Sequence, residues 1–246
     1  MVKISQLERT QTSKVSDFGE LARRRSRAYR TLSAVFAAPP DGALLDTVRQ
    51  WSTLEAELAP GSLPTIMRRG LKKIGAWLEE EDSQLSPHRL SSLKSEFVRL
   101  FRGLRRELSP PPPYESVYVD NGFLYGCSTD QVKRKYQQFN LGGATNEPPD
   151  HLALELDFMR FLCEKEAEAW QSGQEVWEWL EEQYEFLREH LLLWVPAFCS
   201  NIRECCDTPF YSGVADLTEG WICCDQEVIK GVMDAGKQSR QARAST

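Results

Sequence analysis

The stretch NEPPDHLALELDFMRFLCEKEAE, Asn146 to Glu168, decides how this chain folds. A polar turn runs without a break into a long apolar helix. Pro148 and Pro149 fix two backbone angles, and proline suits the first turn of a helix because its missing N–H would be unpaired there anyway. Glu147 and Asp150 then sit where the positive end of a helix favours negative charge. Beyond His151 two seams follow helical spacing: Leu152, Leu156, Met159, Cys163, Ala167 and Trp170 on one, Leu154, Phe158 and Phe161 on the other. A helix apolar along two seams is covered on most sides, so it belongs at the centre of the fold. A charged corner is thereby anchored to the core.

Working outward, no proline interrupts the chain from Asp150 to Val195, and Ser172–Gly173 marks a break within it. The next helix carries Val176, Trp177, Leu180, Tyr184, Leu187 and Leu191, and Pro196 ends or kinks it. Thr208 before Pro209 starts a last helix that runs to about Val232. On the other side, Phe18, Leu21, Ala22, Tyr29, Leu32 and Phe36 keep helical spacing from Asp17, with arginines on the opposite face, and Pro39–Pro40 stop that helix. Asp41 is the N-cap expected for a second helix, residues 63–80 form a third, and Ser86–Pro87 open a fourth. Pro110 to Pro113 is extended. Asn121–Gly122 marks a turn, which leaves a β-hairpin there conceivable. Ser128 with Gln131 reads as a capping box for a short helix through Phe139.

The expected fold class is all-α, a single globular helical domain of about ten helices, with no fixed-period repeat. It spans residues 17–232 in two halves, 17–139 and 147–232, joined by a linker at 140–146. Residues 1–16 and 233–246 are expected as tails without packed structure.

Composition narrows the function. The 246 residues are 41% hydrophobic and 27% charged, ordinary for a soluble globular protein. No apolar run approaches the roughly 18 residues that cross a bilayer. A net charge of −6 argues against general nucleic-acid binding, which needs a concentrated basic surface. The seven cysteines are odd in number, include no CxxC pair, and read as reduced thiols of a cytoplasmic protein, not as a metal site. Arg23–Arg25 ahead of TLSAVFAAPP imitates an export signal, but Arg30 interrupts the apolar run and the stretch has helical periodicity.

Phosphate loops, dinucleotide fingerprints, zinc-protease and nucleophile-elbow motifs are all absent from the sequence, so no catalytic residue and no cofactor is expected. Of the three histidines, His88 and His190 read as packing or surface residues. His151 follows Asp150 and precedes Glu155 by one helical turn. Nearby carboxylates favour the imidazolium, which can bring the titration of His151 into the physiological range, and the cluster reads as a helix cap, a recognition site or a catalytic acid/base pair. Eleven acids lie between His151 and His190 against Arg160, Lys165 and Arg188. Such a run is a solvated helix face that would also steer a basic peptide.

Three separated segments together resemble the TorD/DmsD/NarJ family of redox-enzyme maturation chaperones. They are EFVRLFRG (Glu96–Gly103) with PPYESVY (Pro112–Tyr118), EPPDHLALELDFM (Glu147–Met159), and HLLLWVPAF with TPFYSGVADL (between His190 and Leu217). The likeness runs from Ala38–Pro40 to Leu217. It implies a cytoplasmic TorD-like chaperone, monomeric or helix-swapped, that binds the catalytic subunit of a molybdopterin oxidoreductase and its twin-arginine leader. By motif it assigns client or leader binding to Tyr114, Glu115, Ser116, Glu147, Pro148, Asp150 and His151. Acids near Glu147 and Asp150 would meet the leader's arginines while Tyr114 and nearby aromatics contact its apolar run. Leu104 and Arg105–Arg106 depart from the family's short Gly-Pro connection, which bears on which client is read. The alternatives are a leader-independent NarJ-like assembly chaperone, a nucleotide-dependent helical enzyme and a helical scaffold.

Overall fold

The computed structural model describes residues 2–57, 63–79, 86–103, 109–142 and 146–244. The helices are α1 (Val2–Ala37), α2 (Gly42–Glu57), α3 (Thr65–Glu79), α4 (Pro87–Phe101), α5 (Glu115–Val119), α6 (Cys127–Gln138), α7 (Leu152–Ser172), α8 (Trp177–Phe186), α9 (Leu192–Cys205) and α10 (Pro209–Ala244). A π-wound turn, Leu187–Leu191, joins α8 to α9 without a break. No described helix is long and apolar enough to cross a membrane.

Local chemistry sets most boundaries. Asp41 accepts the Leu44 N–H at 2.8 Å and Ser86 accepts the Arg89 N–H at 3.3 Å, each satisfying a helix-start donor. Gly173, at φ +69°, ends α7 in the left-handed conformation that glycine adopts without strain. Pro196 stays inside α9, so it neither ends nor starts a helix. Winding with an extra residue per turn marks ladders disturbed nearby, and the π turn lies just ahead of this proline.

Two pairings dominate the packing, α1 along α7 and α3 along α10. The first seam of α7 is sealed through Ala167, with Leu152, Leu156, Met159 and Cys163 wholly buried, and only Trp170 at its end is half-buried. The second is not, because Leu154 and Phe161 remain half-exposed. The α3–α10 crossing is close enough that a Cβ on Gly213 would lie 2.7 Å from the Gly70 carbonyl oxygen.

Four expectations are corrected. The N-terminal helix begins at Val2, not Asp17, and the last helix continues to Ala244, so helix extends into both expected tails. Ser128 and Gln131 form no capping box. Asp120 supplies the cap instead, its Oδ2 accepting the Ser128 N–H at 2.9 Å and hydroxyl at 2.6 Å. No hairpin forms at Asn121–Gly122, and Glu115–Val119 is helical. The arginines of α1 do not all face outward. Arg25 is 2% exposed and binds Asp225 of α10, Glu166 of α7 and Gln183 of α8, with contacts of 2.5–3.0 Å. The basic insert Leu104–Arg106 lies outside the described residues.

Candidate functional site

The segments PPYESVY and EPPDH are clasped backbone to backbone. The Glu115 N–H donates to the Asp150 carbonyl and the Leu152 N–H to that of Pro113, both at 2.9 Å, and Tyr114 pairs with His151 as an isolated bridge. Proline is what makes this possible. Each proline biases the residue before it to extended backbone, and the Pro113 carbonyl is left to accept the Leu152 N–H. Side chains reinforce the clasp. Asp150 Oδ2 accepts the Ser116 N–H at 2.9 Å, and Glu147 accepts the Tyr114 hydroxyl at 2.7 Å and Arg102 Nη1 at 2.5 Å. The EFVRLFRG segment enters here through Arg102. Its Glu96 has a structural task elsewhere, since Oε1 accepts the Asp207 and Thr208 N–H groups that begin α10.

The corner's charges differ from the sequence expectation. Asp150 is 0% exposed and serves the start of α5, not the positive end of α7. Capping of α7 falls to His151, whose Nδ1 accepts the Ala153 N–H at 3.1 Å. That bond requires an unprotonated Nδ1. Burial pushes the imidazole down to about 4, Arg102 adding to the effect while Glu147 and Asp150 oppose it. His151 is therefore neutral at physiological pH, and the expected titration near neutrality does not occur. Glu155 does not face it either. It lies buried against Trp194 Nε1 (3.1 Å), with burial first and Glu115 next raising its carboxyl well above the usual range. Glu115 in turn lies 3.0 Å from His190 Nδ1.

Of the residues assigned by motif, Glu115, Ser116, Asp150 and His151 are buried, while Tyr114, Glu147 and Pro148 reach the surface. The buried four build the corner, and the surface three form its rim. Asp150→Ala should accordingly cost about 1–3 kcal/mol, the penalty for stranding a buried donor. Asp150→Asn should cost far less, because its amide oxygen still reaches the Ser116 N–H. Urea unfolding of the two variants checks this, and an equal loss in both would remove the hydrogen bond as the cause.

Beside the rim runs a furrow of about 560 Å³ floored by Leu154, Phe158, Phe161, Tyr136 and Pro149, with Glu147 at its edge. The half-covered seam of α7 is its floor. The α5–α6 turn borders it, with Phe123 and Tyr125 each 72% exposed and Leu124 nearly half, and Val119 at the end of α5 is 42% exposed. Tyr125 lines the furrow. This tip is built, not loose. Asn121, Gly122 and Tyr125 hold positive φ, and Asp120 ties the turn to α6. Sequence reasoning passed over it, although Phe-Leu-Tyr directly after Asn-Gly was an apolar triplet with no helical face to join.

Part of the acidic run between His151 and His190 is neutralised within the fold, while Glu175, Glu178 and Glu181 stay exposed along α8 and its approach. Glu166 is taken by Arg25, Asp157 and Glu164 by Arg160, Glu168 by Lys165, and Glu182 and Glu185 by Lys135. Among the described residues, no group of three or more His, Cys, Asp or Glu gathers as a metal site.

The profile of a family described as nitrate reductase delta subunit matches residues 61–200. The chaperone protein TorD of Vibrio cholerae (strain O395) is 27% identical over 214 residues, spanning 85% of this chain and 93% of its own length. That of Aliivibrio fischeri is 30% identical over 172 residues, 65% of this chain and 72% of its own. A solved structure described as a redox enzyme maturation protein, from Archaeoglobus fulgidus, is 20% identical. The match covers 79% of this chain and 91% of that one with a TM-score of 0.40, too loose a superposition to bear on the site.

Proposed function

The chain belongs to the nitrate reductase delta subunit family, and on that footing we propose that it binds and holds the catalytic subunit of a molybdopterin-containing oxidoreductase while its cofactor is inserted. It is a chaperone, as its TorD relatives are, and not an enzyme. The twin-arginine leader of that subunit is the segment we assign to the furrow. The observation that carries this reading is the open furrow beside the Glu147 rim, apolar along its floor, charged at Asp130, Lys133, Asp157 and Arg160, and bordered by the exposed Tyr125. Contiguous exposed apolar surface of this kind marks an interaction site.

A leader pairs a basic end with an apolar run, and the two ends of the furrow suit them. The run meets Tyr125, Phe158 and Phe161, and an arginine meets Glu147. Burying roughly 400 Å² of apolar area is worth about 10 kcal/mol at 25 cal/mol/Å². Ordering a flexible peptide takes back several kcal/mol, which leaves micromolar affinity, around −8 kcal/mol. Moderate affinity suits a holding protein that must release its client.

Calorimetric titration of a client leader tests the assignment. Phe123→Ser combined with Tyr125→Ser should weaken binding at least about tenfold, since exposed aromatics are typical anchors. Unchanged affinity would take the tip and furrow out of the site. Equal capture of a leaderless catalytic subunit would instead move recognition to the mature client.

A further inference from the structure

The corner holds a guanidinium already, and it is the protein's own. Glu115, Asp150 and Glu155 are buried, so Glu147, its side chain 33% exposed, is the acid this corner presents at the furrow's edge. Arg102 reaches it from the end of α4 with Nη1 at 2.5 Å, while Nη2 donates to the Ala37 carbonyl at 3.1 Å. Ala37 closes α1, where the helix dipole adds negative character. A carboxylate and a helix-end carbonyl placed to take two nitrogens of one planar fork make a cradle for arginine more than for lysine. Tyr114 and Arg102, working against burial, hold the Glu147 carboxyl below the usual range, so the cradle stays charged.

We infer that Arg102 occupies in the free protein the place that an arginine of the partner segment takes in the complex, so that binding exchanges one guanidinium for another on Glu147. This rests on the leader reading above. The exchange is cheap because Arg102 is itself 37% exposed, and a part-exposed ion pair contributes little net stability. Its side chain can swing into water with its charge hydrated, leaving Tyr114 to keep Glu147 in place. Arg102 is thus a built-in competitor. It lowers the partner's affinity and keeps the acidic rim covered when no partner is bound.

The test uses the full chain and two synthetic peptides. One carries adjacent arginines before an apolar run of about 12 residues, and the other has glutamines in place of both arginines. Arg102→Gln should tighten the arginine peptide about threefold to fivefold by calorimetry and leave the glutamine peptide unchanged. In Arg102→Gln with Glu147→Gln the gain should disappear. If Arg102→Gln weakens the arginine peptide, Arg102 holds the corner in shape and the exchange is wrong. If it tightens both peptides alike, Arg102 is only a repulsive surface charge, and the exchange is again wrong. Both results leave leader binding itself standing. If wild-type protein binds neither peptide, the leader reading fails and the exchange with it.

Discussion

Arg25→Met should cost about 3–5 kcal/mol of unfolding free energy, a large share of a typical domain's margin. Methionine is close in length and apolar, so the loss is not a matter of volume. What it strands is charge. In the wild type Arg25 Nε and Nη2 bind Asp225 at 2.5 and 3.0 Å, Nη1 binds Glu166 at 2.7 Å, and Tyr29 donates to the same Asp225 at 2.7 Å. Burial works against the guanidinium, yet Asp225 and Glu166 together hold its pKa above the ordinary arginine value. Without it, two carboxylates are left in the middle of four helices with no counter-charge. Urea unfolding measures the loss. Adding Glu166→Gln and Asp225→Asn to Arg25→Met should return most of it, because a buried ion network replaced by neutral groups of like shape is often no less stable than the original. A loss below about 1 kcal/mol in the single variant, the size expected of an exposed pair, would mean that Arg25 lies in water.

This network was legible in the sequence, though not where charge is usually sought. Ala22, Tyr29, Leu32 and Phe36 are inward positions of α1, and the step from 22 to 29 leaves an inward turn between them at positions 25 and 26, both buried. Position 25 puts an arginine there. Glu166 sits in the seam of α7 beside Ala167, and Asp225 continues the stripe of Ile222 and Ile229 on α10. Three charges on three core stripes, one basic and two acidic, must find each other. The run Arg23–Arg25 hid the signal because its neighbours Arg23 and Arg24 are on the surface.

The helical class, the breaks at Gly173 and Pro39–Pro40, and the central place of α7 followed from periodicity and turn chemistry, which are local properties. The clasp between Pro112–Ser116 and Pro148–Leu152 did not, since backbone hydrogen bonds between distant extended segments leave no periodic trace. Resemblance put both segments at one groove; only coordinates could show that Asp150 faces inward to Ser116. The furrow floor was half-visible. Leu154, Phe158 and Phe161 read as a second covered seam, but nothing in the sequence says that α6 and the 146–149 turn stop short of covering it.

His151 yields the second large effect, a loss of stability between pH 6.5 and pH 4. Its pKa is about 4 in the folded chain against an ordinary value of 6.5. Between those values the unfolded chain binds a proton that the folded chain refuses, so the contribution is fully present above pH 6.5 and drains away as pH falls toward 4. A displacement of that size corresponds to about 3 kcal/mol. The physical cause is the cap. Protonating Nδ1 would set an N–H against the Ala153 N–H inside a site already facing Arg102. His151→Asn keeps an acceptor for that N–H but carries no titratable group. Its stability, measured by urea at pH 7, 5.5 and 4, should therefore fall much less over the window than that of wild type. Glu155, raised by burial, titrates with the opposite sign, but both proteins carry it and it cancels in the comparison. Parallel curves would mean that the folded corner accepts the proton, and the cap on α7 would then have to come from elsewhere. Divergent curves would leave Glu147 and Arg102 as the charges that a partner meets at this rim at neutral pH.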